Sequence, residues 1–382
     1  MRFAICHSLS ARRSFRIKAF IIFVLGIFSI LALVACGSAP AQGWSSATFD
    51  NGSLYFGSTL PKVYALDAAT GTKKWEYDGE TDKPLIAVYG TPVAVNGKVY
   101  FGAYDGIFYA LDAASGGLKW QFNDGAPIVP TPLVEQGTVY FGANNNKFYA
   151  LDAETGVKKW EFATQQKVWG DAAFDNGTVY FGSLDHNLYA LDAATGNQKW
   201  NFNAGGMITA KPLVLNNTVY FGALNKFYAL DAGSGSKKWE FALEPNEWIW
   251  ATPTAHNSAL YVGTTSGKVY ALDANTGSAK WAQPFTAGGQ IRSAIVIQDG
   301  VGYFGASDHK VYALNLDNAQ LKWKNESVGA PILATPVLQN GTLYVPTSGY
   351  NGQNGYNMYA LNAADGSRRW CFDQLSAQAC SQ

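Results

Sequence analysis

Histidine, cysteine and carboxylate side chains are the groups that bind metals or act in catalysis, and this chain of 382 residues has few of them in suggestive patterns. Two of its four histidines directly follow aspartates, as Asp185-His186 and Asp308-His309, and a metal ion could in principle bridge two such loops. The two pairs occupy corresponding loops in repeats that are three units apart, so we interpret them as surface turn residues. No nucleophile motif, phosphate loop or zinc-type spacing occurs. The sequence therefore predicts no catalytic residues and no metal site.

The first 36 residues differ in character from the rest of the chain. Basic residues precede an apolar run over residues 19–35, which ends in Leu33-Val34-Ala35-Cys36. This pattern is typical of an export signal, and it resembles a bacterial lipoprotein signal, in which the cysteine becomes the acylated first residue. The resemblance implies that residues 1–35 are removed, that Cys36 is lipidated and that residues 36–42 form a linker. An uncleaved membrane anchor is the alternative, and the Sec and Tat export routes both stay open.

Two further cysteines, Cys371 and Cys380, lie close together near the C-terminus. In an oxidising compartment such a pair, with no histidine beside it, is more often a disulfide than a metal site. We predict a disulfide that ties down the tail over residues 374–382, which would otherwise fray.

Composition limits the range of functions. The formal net charge is zero, so no basic field exists to attract nucleic acid. Aromatic residues reach 14%, glycines number 40 and charged residues are only 15%, a profile that favours a turn-rich β protein.

The elements that must position any site come from an internal repeat of roughly 40 residues. In a representative unit, residues 140–142 read Y-F-G, residues 150–156 read A-L-D-A-E-T-G, and Lys159-Trp160 closes the unit. Each unit reads as four short strands with Gly- or Asn-bearing turns. Eight such units avoid exposed sheet edges if they close into a ring. We therefore predict an all-β, eight-bladed propeller with four antiparallel strands per blade, formed by residues 43–373 as one monomeric domain.

The closing tryptophans should wedge between neighbouring blades and hold the ring together. These tryptophans are Trp75, Trp120, Trp160, Trp200, Trp239, Trp281, Trp323 and Trp370.

The sequence pattern A-L-D-A-x-T-G-x-x-K-W, which follows a Y-F-G strand, resembles the pyrroloquinoline-quinone (PQQ) type of propeller repeat. The resemblance extends over essentially the whole mature chain. That family includes large quinoprotein dehydrogenases and small lipoproteins of the BamB type, which scaffold the assembly of outer-membrane proteins. The dehydrogenases hold PQQ with a calcium ion bound by carboxylate and amide oxygens. This sequence lacks their adjacent cysteine pair, a C-x-x-C-H haem motif and long insertions. The resemblance thus implies a BamB-like protein without a cofactor.

Residues just ahead of each first strand should surround the mouth of the central channel, because the first strand of a propeller blade is innermost. Two aligned positions there carry aromatic and charged side chains that could bind a ligand or a peptide. These candidates are Trp44, Tyr89, Trp169, Asp171, Lys211, Trp250 and Arg292. The alternatives are that the rings merely plug the channel and that Asp171 simply pairs with Lys211.

Together these patterns predict a non-catalytic scaffold, anchored to the cell envelope through lipid on Cys36. The anchoring membrane is either the outer membrane, on its periplasmic side, or the cytoplasmic membrane, on its outer face. Its partners would be envelope proteins or peptides. The alternatives are a receptor for a small ligand or polysaccharide at the aromatic mouth, and a PQQ-dependent dehydrogenase.

Overall fold

Short strands joined by tight turns form eight antiparallel blades, seven of four strands and one of five, which confirms the predicted eight-bladed propeller. The computed structural model describes residues 45–58, 60–80, 83–348 and 357–380, and all its regular elements there are strands. Within these ranges no helix has the length and apolarity that crossing a membrane requires. The predicted signal segment, Cys36, the linker and Trp44 lie outside the described residues.

The strands of each blade follow one another in the chain, from the innermost to the outermost. Blades 1 and 2, with a two-stranded hairpin between them, comprise β1 (Ala47–Asp50), β2 (Ser53–Gly57), β3 (Val63–Asp67), β4 (Lys73–Tyr77), β5 (Gly79–Glu80), β6 (Lys83–Pro84), β7 (Val93–Val95), β8 (Lys98–Gly102), β9 (Ile107–Asp112) and β10 (Leu118–Asn123). Blades 3, 4 and 5 comprise β11 (Leu133–Glu135), β12 (Thr138–Gly142), β13 (Lys147–Asp152), β14 (Lys158–Ala163), β15 (Ala173–Asp175), β16 (Thr178–Gly182), β17 (Asn187–Asp192), β18 (Gln198–Asn203), β19 (Leu213–Leu215), β20 (Thr218–Ala223), β21 (Lys226–Asp231) and β22 (Lys237–Ala242).

The last three blades complete the ring. They comprise β23 (Thr254–His256), β24 (Ala259–Gly263), β25 (Lys268–Asp273), β26 (Phe285–Thr286), β27 (Val296–Gln298), β28 (Val301–Gly305), β29 (Val311–Asn315), β30 (Leu321–Asn325), β31 (Val337–Gln339), β32 (Thr342–Pro346), β33 (Asn357–Asn362), β34 (Arg368–Asp373) and β35 (Gln378–Ala379). In blade 6 the outer strand β26 is short and directly follows Pro284, which has no backbone N–H to donate to a neighbouring strand.

The turn between the first two strands of each blade uses residues that tolerate a left-handed backbone. In blade 1, Asn51 and Gly52 have φ values of 45° and 74°. Positive φ at both central positions defines the two-residue turn whose twist matches an antiparallel hairpin. This turn chemistry sets the register of β1 on β2, in which Asp50 lies opposite Ser53.

Each closing tryptophan contacts the following blade through its ring and its indole nitrogen. Trp75 Nε1 donates a 3.0 Å hydrogen bond to the carbonyl of Ala113, and Tyr55 Oη donates to the same carbonyl at 3.1 Å. The Trp75 ring covers Gly116, where a Cβ atom would lie 2.8 Å from the indole. All eight closing tryptophans make the corresponding hydrogen bond. The indoles therefore join the blades by burial and by directed hydrogen bonds.

A second contact interlocks the blades near the end of the second strand in blades 1 to 7. The glycine that ends β2, Gly57, lies under Val88 of the link to blade 2, and a Cβ atom there would sit 2.6 Å from Val88 Cγ1. Gly263 lies in the same way under Ile291, at 2.5 Å. The glycine of the repeated Y-F-G strand is thus required by the side chain that packs on it.

The ring closes between the last blade and the first. Trp370 Nε1 and Tyr344 Oη both donate to the carbonyl of Ala68, at 3.2 and 3.1 Å. The amide of Thr335 donates to Ser46 Oγ at 2.7 Å. These bonds repeat the contacts found between consecutive blades, so closure uses the same chemistry as every other blade interface.

The C-terminal segment extends the last blade beyond Asp373, where we had expected the propeller to end. β35 pairs with β34 and makes blade 8 five-stranded. Cys371 and Cys380 lie at disulfide-bonding distance, with Cα atoms 5.5 Å apart, and Cys380 N donates to Cys371 O at 3.0 Å.

Candidate functional site

One face of the propeller, here called the mouth face, carries two kinds of segment. These are the links that precede the innermost strands and the loops between second and third strands. The two are joined by backbone hydrogen bonds, such as Asn144 N to Pro127 O at 3.0 Å and Thr265 N to Trp248 O at 2.9 Å. The candidate residues of the described chain all lie in these links or directly after them.

Two tryptophans of the mouth face are exposed. Trp169 is 37% exposed and Trp248 is 45% exposed, high values for such large apolar side chains. Trp169 Nε1 donates a 2.7 Å hydrogen bond to Asn144 Oδ1 in the loop of the preceding blade, and Lys167 Nζ lies 5.9 Å from the indole centroid. Trp169 is therefore held in a fixed orientation while part of its ring faces solvent.

Trp250 and Arg292 form a cation–π pair between blades 6 and 7. The guanidinium carbon of Arg292 lies 4.5 Å from the centroid of the Trp250 ring, a cation–π geometry. Arg292 Nη2 also donates to Gln290 Oε1 at 3.0 Å. Burial lowers the pKa of Arg292, but an arginine remains charged at neutral pH.

Asp171 joins two blades. Its Oδ1 accepts a 2.7 Å hydrogen bond from the backbone amide of Thr131 in the preceding blade. The alternative that Asp171 pairs with Lys211 is not realised as a close ion pair; Lys211 acts on it only at longer range. Burial raises the pKa of Asp171, and the Thr131 amide and the charge of Lys211 offset this only in part.

The hydrogen bond of Asp171 belongs to a partial belt around the channel. Thr91 N donates to Thr131 Oγ1 at 3.1 Å, and Ala294 N donates to Thr335 Oγ1 at 2.9 Å. The residue aligned with these threonines in blade 5 is Lys211, whose ammonium group cannot accept a hydrogen bond. The aligned position therefore has a structural role in some blades and presents a charge in another.

Tyr89 lies apart from the two exposed tryptophans. It is half-buried, and its ring packs edge-on against Tyr104 of the same blade at 5.4 Å between centroids. Burial raises its pKa.

Sequence reasoning missed part of the mouth face. Met207 and Ile86 are 39% and 48% exposed there, and Gln290 holds Arg292. Met207, Trp248 and Gln290 share one aligned position, two residues ahead of the aromatic position used for the prediction. Trp248 is also recognisable in the sequence as a tryptophan outside the closing position. Since alternate residues of an extended segment point to the same side, extending the alignment by two residues would have found Met207 and Gln290 as well.

The aspartates of the two Asp-His turns have a structural role. Asp185 accepts a 2.9 Å hydrogen bond from Tyr189, and Asp308 accepts one of 2.5 Å from Tyr312. The four-residue spacing of aspartate and tyrosine was a usable signal for this pairing. In the part of the chain that the structure describes, no group of three or more His, Cys, Asp or Glu side chains could hold a metal ion.

The predicted candidate residues that the structure describes do not fit PQQ with calcium. Calcium takes about six to eight oxygen ligands, with carboxylates prominent among them. Asp171 is the one carboxylate among the described candidates, and its Oδ1 is already engaged by Thr131 N. The charge that acts on Asp171, Lys211, is a cation that would repel a calcium ion.

Fold and repeat chemistry define the class: an eight-bladed propeller built from PQQ-like repeats. The family model described as outer membrane protein assembly factor BamB matches residues 35–166, 163–249 and 228–379. The chain therefore belongs to this family. A search of curated proteins finds no match to the sequence.

Three solved structures illustrate how widely this fold is shared. BamB from Moraxella catarrhalis superposes with a TM-score of 0.68 at 20% identity, covering 79% of this chain and 93% of that one. The computationally designed Ika8 protein gives 0.69 at 16% identity, covering 80% and 93%. A europium-containing methanol dehydrogenase gives 0.68 at 15% identity, covering 83% and 84%. At these identities the similarity shows the fold alone, and that fold serves both an assembly factor and an enzyme.

Proposed function

We propose that this protein is a non-catalytic scaffold of the cell envelope, which binds extended segments of other proteins on its mouth face. The observation that carries the proposal is the exposure of four large apolar side chains on that face, contributed by four different blades. These side chains are Ile86, Trp169, Met207 and Trp248. Exposed aromatic residues and methionines are typical of protein-binding surfaces.

Membership of the BamB family supports a role in assembling outer-membrane proteins. The sequence ending in Cys36 supports attachment to the envelope by lipid. The poor match between the mouth residues and a calcium–PQQ site supports a binding role over dehydrogenase chemistry, although the same fold occurs in a methanol dehydrogenase.

Calorimetric titration of the full chain tests the proposal. Two peptides serve as probes, one of alternating tyrosine and glutamate and one of alternating tyrosine and glutamine. We expect at least one peptide to bind, and the Trp169→Ala/Trp248→Ala double variant to weaken that binding about tenfold or more. The matched control is Val157→Ala/Leu321→Ala, which removes two exposed apolar side chains from outside the mouth face.

Two further titrations test the alternatives. Binding of an oligosaccharide but of neither peptide would favour the receptor. Binding of PQQ with calcium at micromolar strength would favour the dehydrogenase. Either result would contradict the scaffold proposal.

A further inference from the structure

The charge of Arg292 has no counter-charge among the described residues. Its side-chain acceptor is Gln290, which is neutral, and the described ion pairs do not include it. Its Nε atom is buried and has no hydrogen-bond acceptor. A partly desolvated cation without an anion is costly, so the fold maintains a charge that a bound anion would neutralise.

Lysines on the outer strands of the blades, unlike Arg292, have acidic partners. Lys147 pairs with Glu161 at 2.8 Å, and Lys226 pairs with Glu240 at 3.3 Å, each on the outer strands of a blade. In each of these pairs the glutamate comes from the same repeat as the lysine. At Arg292 the preceding unit supplies an aromatic ring, Trp250, instead of an acid.

Trp250 fixes the direction of the guanidinium. The guanidinium carbon lies 4.5 Å from the centroid of the Trp250 ring, and the hydrogen bond from Nη2 to Gln290 Oε1 fixes a second point of the group. Arginine presents five N–H donors in a rigid fork that matches a carboxylate, so a guanidinium held in this way is pre-organised for two parallel hydrogen bonds.

The surroundings add a second cation and aromatic surface. In ring order, Lys211 of blade 5, Trp250 of blade 6 and Arg292 of blade 7 occupy neighbouring links, with exposed Trp248 two residues from Trp250. Neither the Lys211 nor the Ala294 side chain can accept a belt hydrogen bond in this sector, although the Ala294 amide still donates one to Thr335 Oγ1. Glu247, next to Trp248, is paired with Lys268 at 2.5 Å and so adds no unpaired negative charge to this cationic and aromatic sector.

We propose that Arg292, assisted by Lys211, binds carboxylate side chains of the bound polypeptide, so that the mouth face selects extended segments rich in aromatic and acidic residues. This inference rests on the proposed function and names the class of ligand for the same face. Charge complementarity is the argument for an acidic polypeptide over a neutral one.

The same two peptides test it, since they differ only in glutamate against glutamine. The full chain should bind the glutamate peptide about tenfold more tightly than the glutamine peptide. This factor corresponds to the free energy of about one charge-assisted hydrogen bond. Arg292→Gln should abolish this preference, and Arg292→Lys should keep part of it. Lys322→Gln, which removes a positive charge from the exposed outer strand β30 of the same blade, should leave it unchanged.

Several results would overturn the inference. If the native chain binds both peptides equally well, the preference for acidic segments is refuted but the proposed scaffold function stands. If it binds neither peptide, the proposed function is refuted as well. Displacement of the glutamate peptide by inorganic phosphate at a similar concentration would assign the site to small oxyanions. Should Arg292→Gln fail to fold by circular dichroism, Lys211→Gln must reduce the preference or the inference fails.

Discussion

Asp171 combines a hydrogen bond between blades with a charge that the fold disfavours. Its Oδ1 accepts from Thr131 N, yet burial raises the pKa of its carboxyl group above the ordinary value. The folded state consequently holds the proton more tightly than the unfolded chain does. Ionisation of Asp171 therefore lowers the free energy of unfolding as the pH rises through the folded-state pKa.

Asp171→Asn should reveal this cost. Asparagine keeps an acceptor for Thr131 N but does not ionise, so the stability of the variant relative to the native chain should rise between about pH 4 and pH 7. The gain is about 1.4 kcal/mol for each unit that separates the folded and unfolded pKa values. Urea unfolding across this range measures it. Asp175→Asn, a nearby substitution on β15, is the control, and a pH-independent difference for Asp171→Asn would contradict the account.

At the scale of elements, the Y-F-G strands and the links interlock. Gly263→Ala places a Cβ atom 2.5 Å from Ile291 Cγ2, a contact that forces the link to shift. We expect it to lower the free energy of unfolding by about 1–3 kcal/mol, measured by chemical denaturation. Gly117→Ala is the matched control, because its nearest neighbour would be Ser115 Oγ at 3.4 Å. An equal effect of both substitutions would refute the interlock.

The strands and turns could be predicted from the sequence because each is encoded within one unit. Asn51-Gly52 and the Y-F-G strand are local signals, and similar signals recur from unit to unit, so each unit supports the same assignment of strands and turns. The cation–π contact of Arg292 with Trp250 and the hydrogen bond from Trp169 to Asn144 could not be predicted, since each joins two different blades. Such contacts depend on the path of the links and on closure of the ring, which a pattern within one unit does not specify.

At the scale of the whole molecule, closure places the links of distant units around one opening. Trp370 joins blade 8 to blade 1 with the hydrogen bond that Trp160 uses between blades 3 and 4. The eight interfaces should therefore be similar in strength.

Trp370→Ala and Trp160→Ala should each lower the free energy of unfolding by about 2–4 kcal/mol, because both indoles are partly buried. Their effects should agree within about 1 kcal/mol, since one interface chemistry serves both. Thermal and urea unfolding of the two variants provide the comparison. A much milder effect of Trp370→Ala would indicate that the last blade does not seal against the first.

Amide hydrogen exchange of the full chain, with and without saturating glutamate peptide, tests most directly the claim that the mouth face binds polypeptide. The account predicts slower exchange in the links over residues 86–89, 167–169, 248–250 and 290–292, and unchanged exchange in the opposite-face turns over residues 67–71 and 152–156. Protection of those turns or of the outer strands, with the links unaffected, would contradict it.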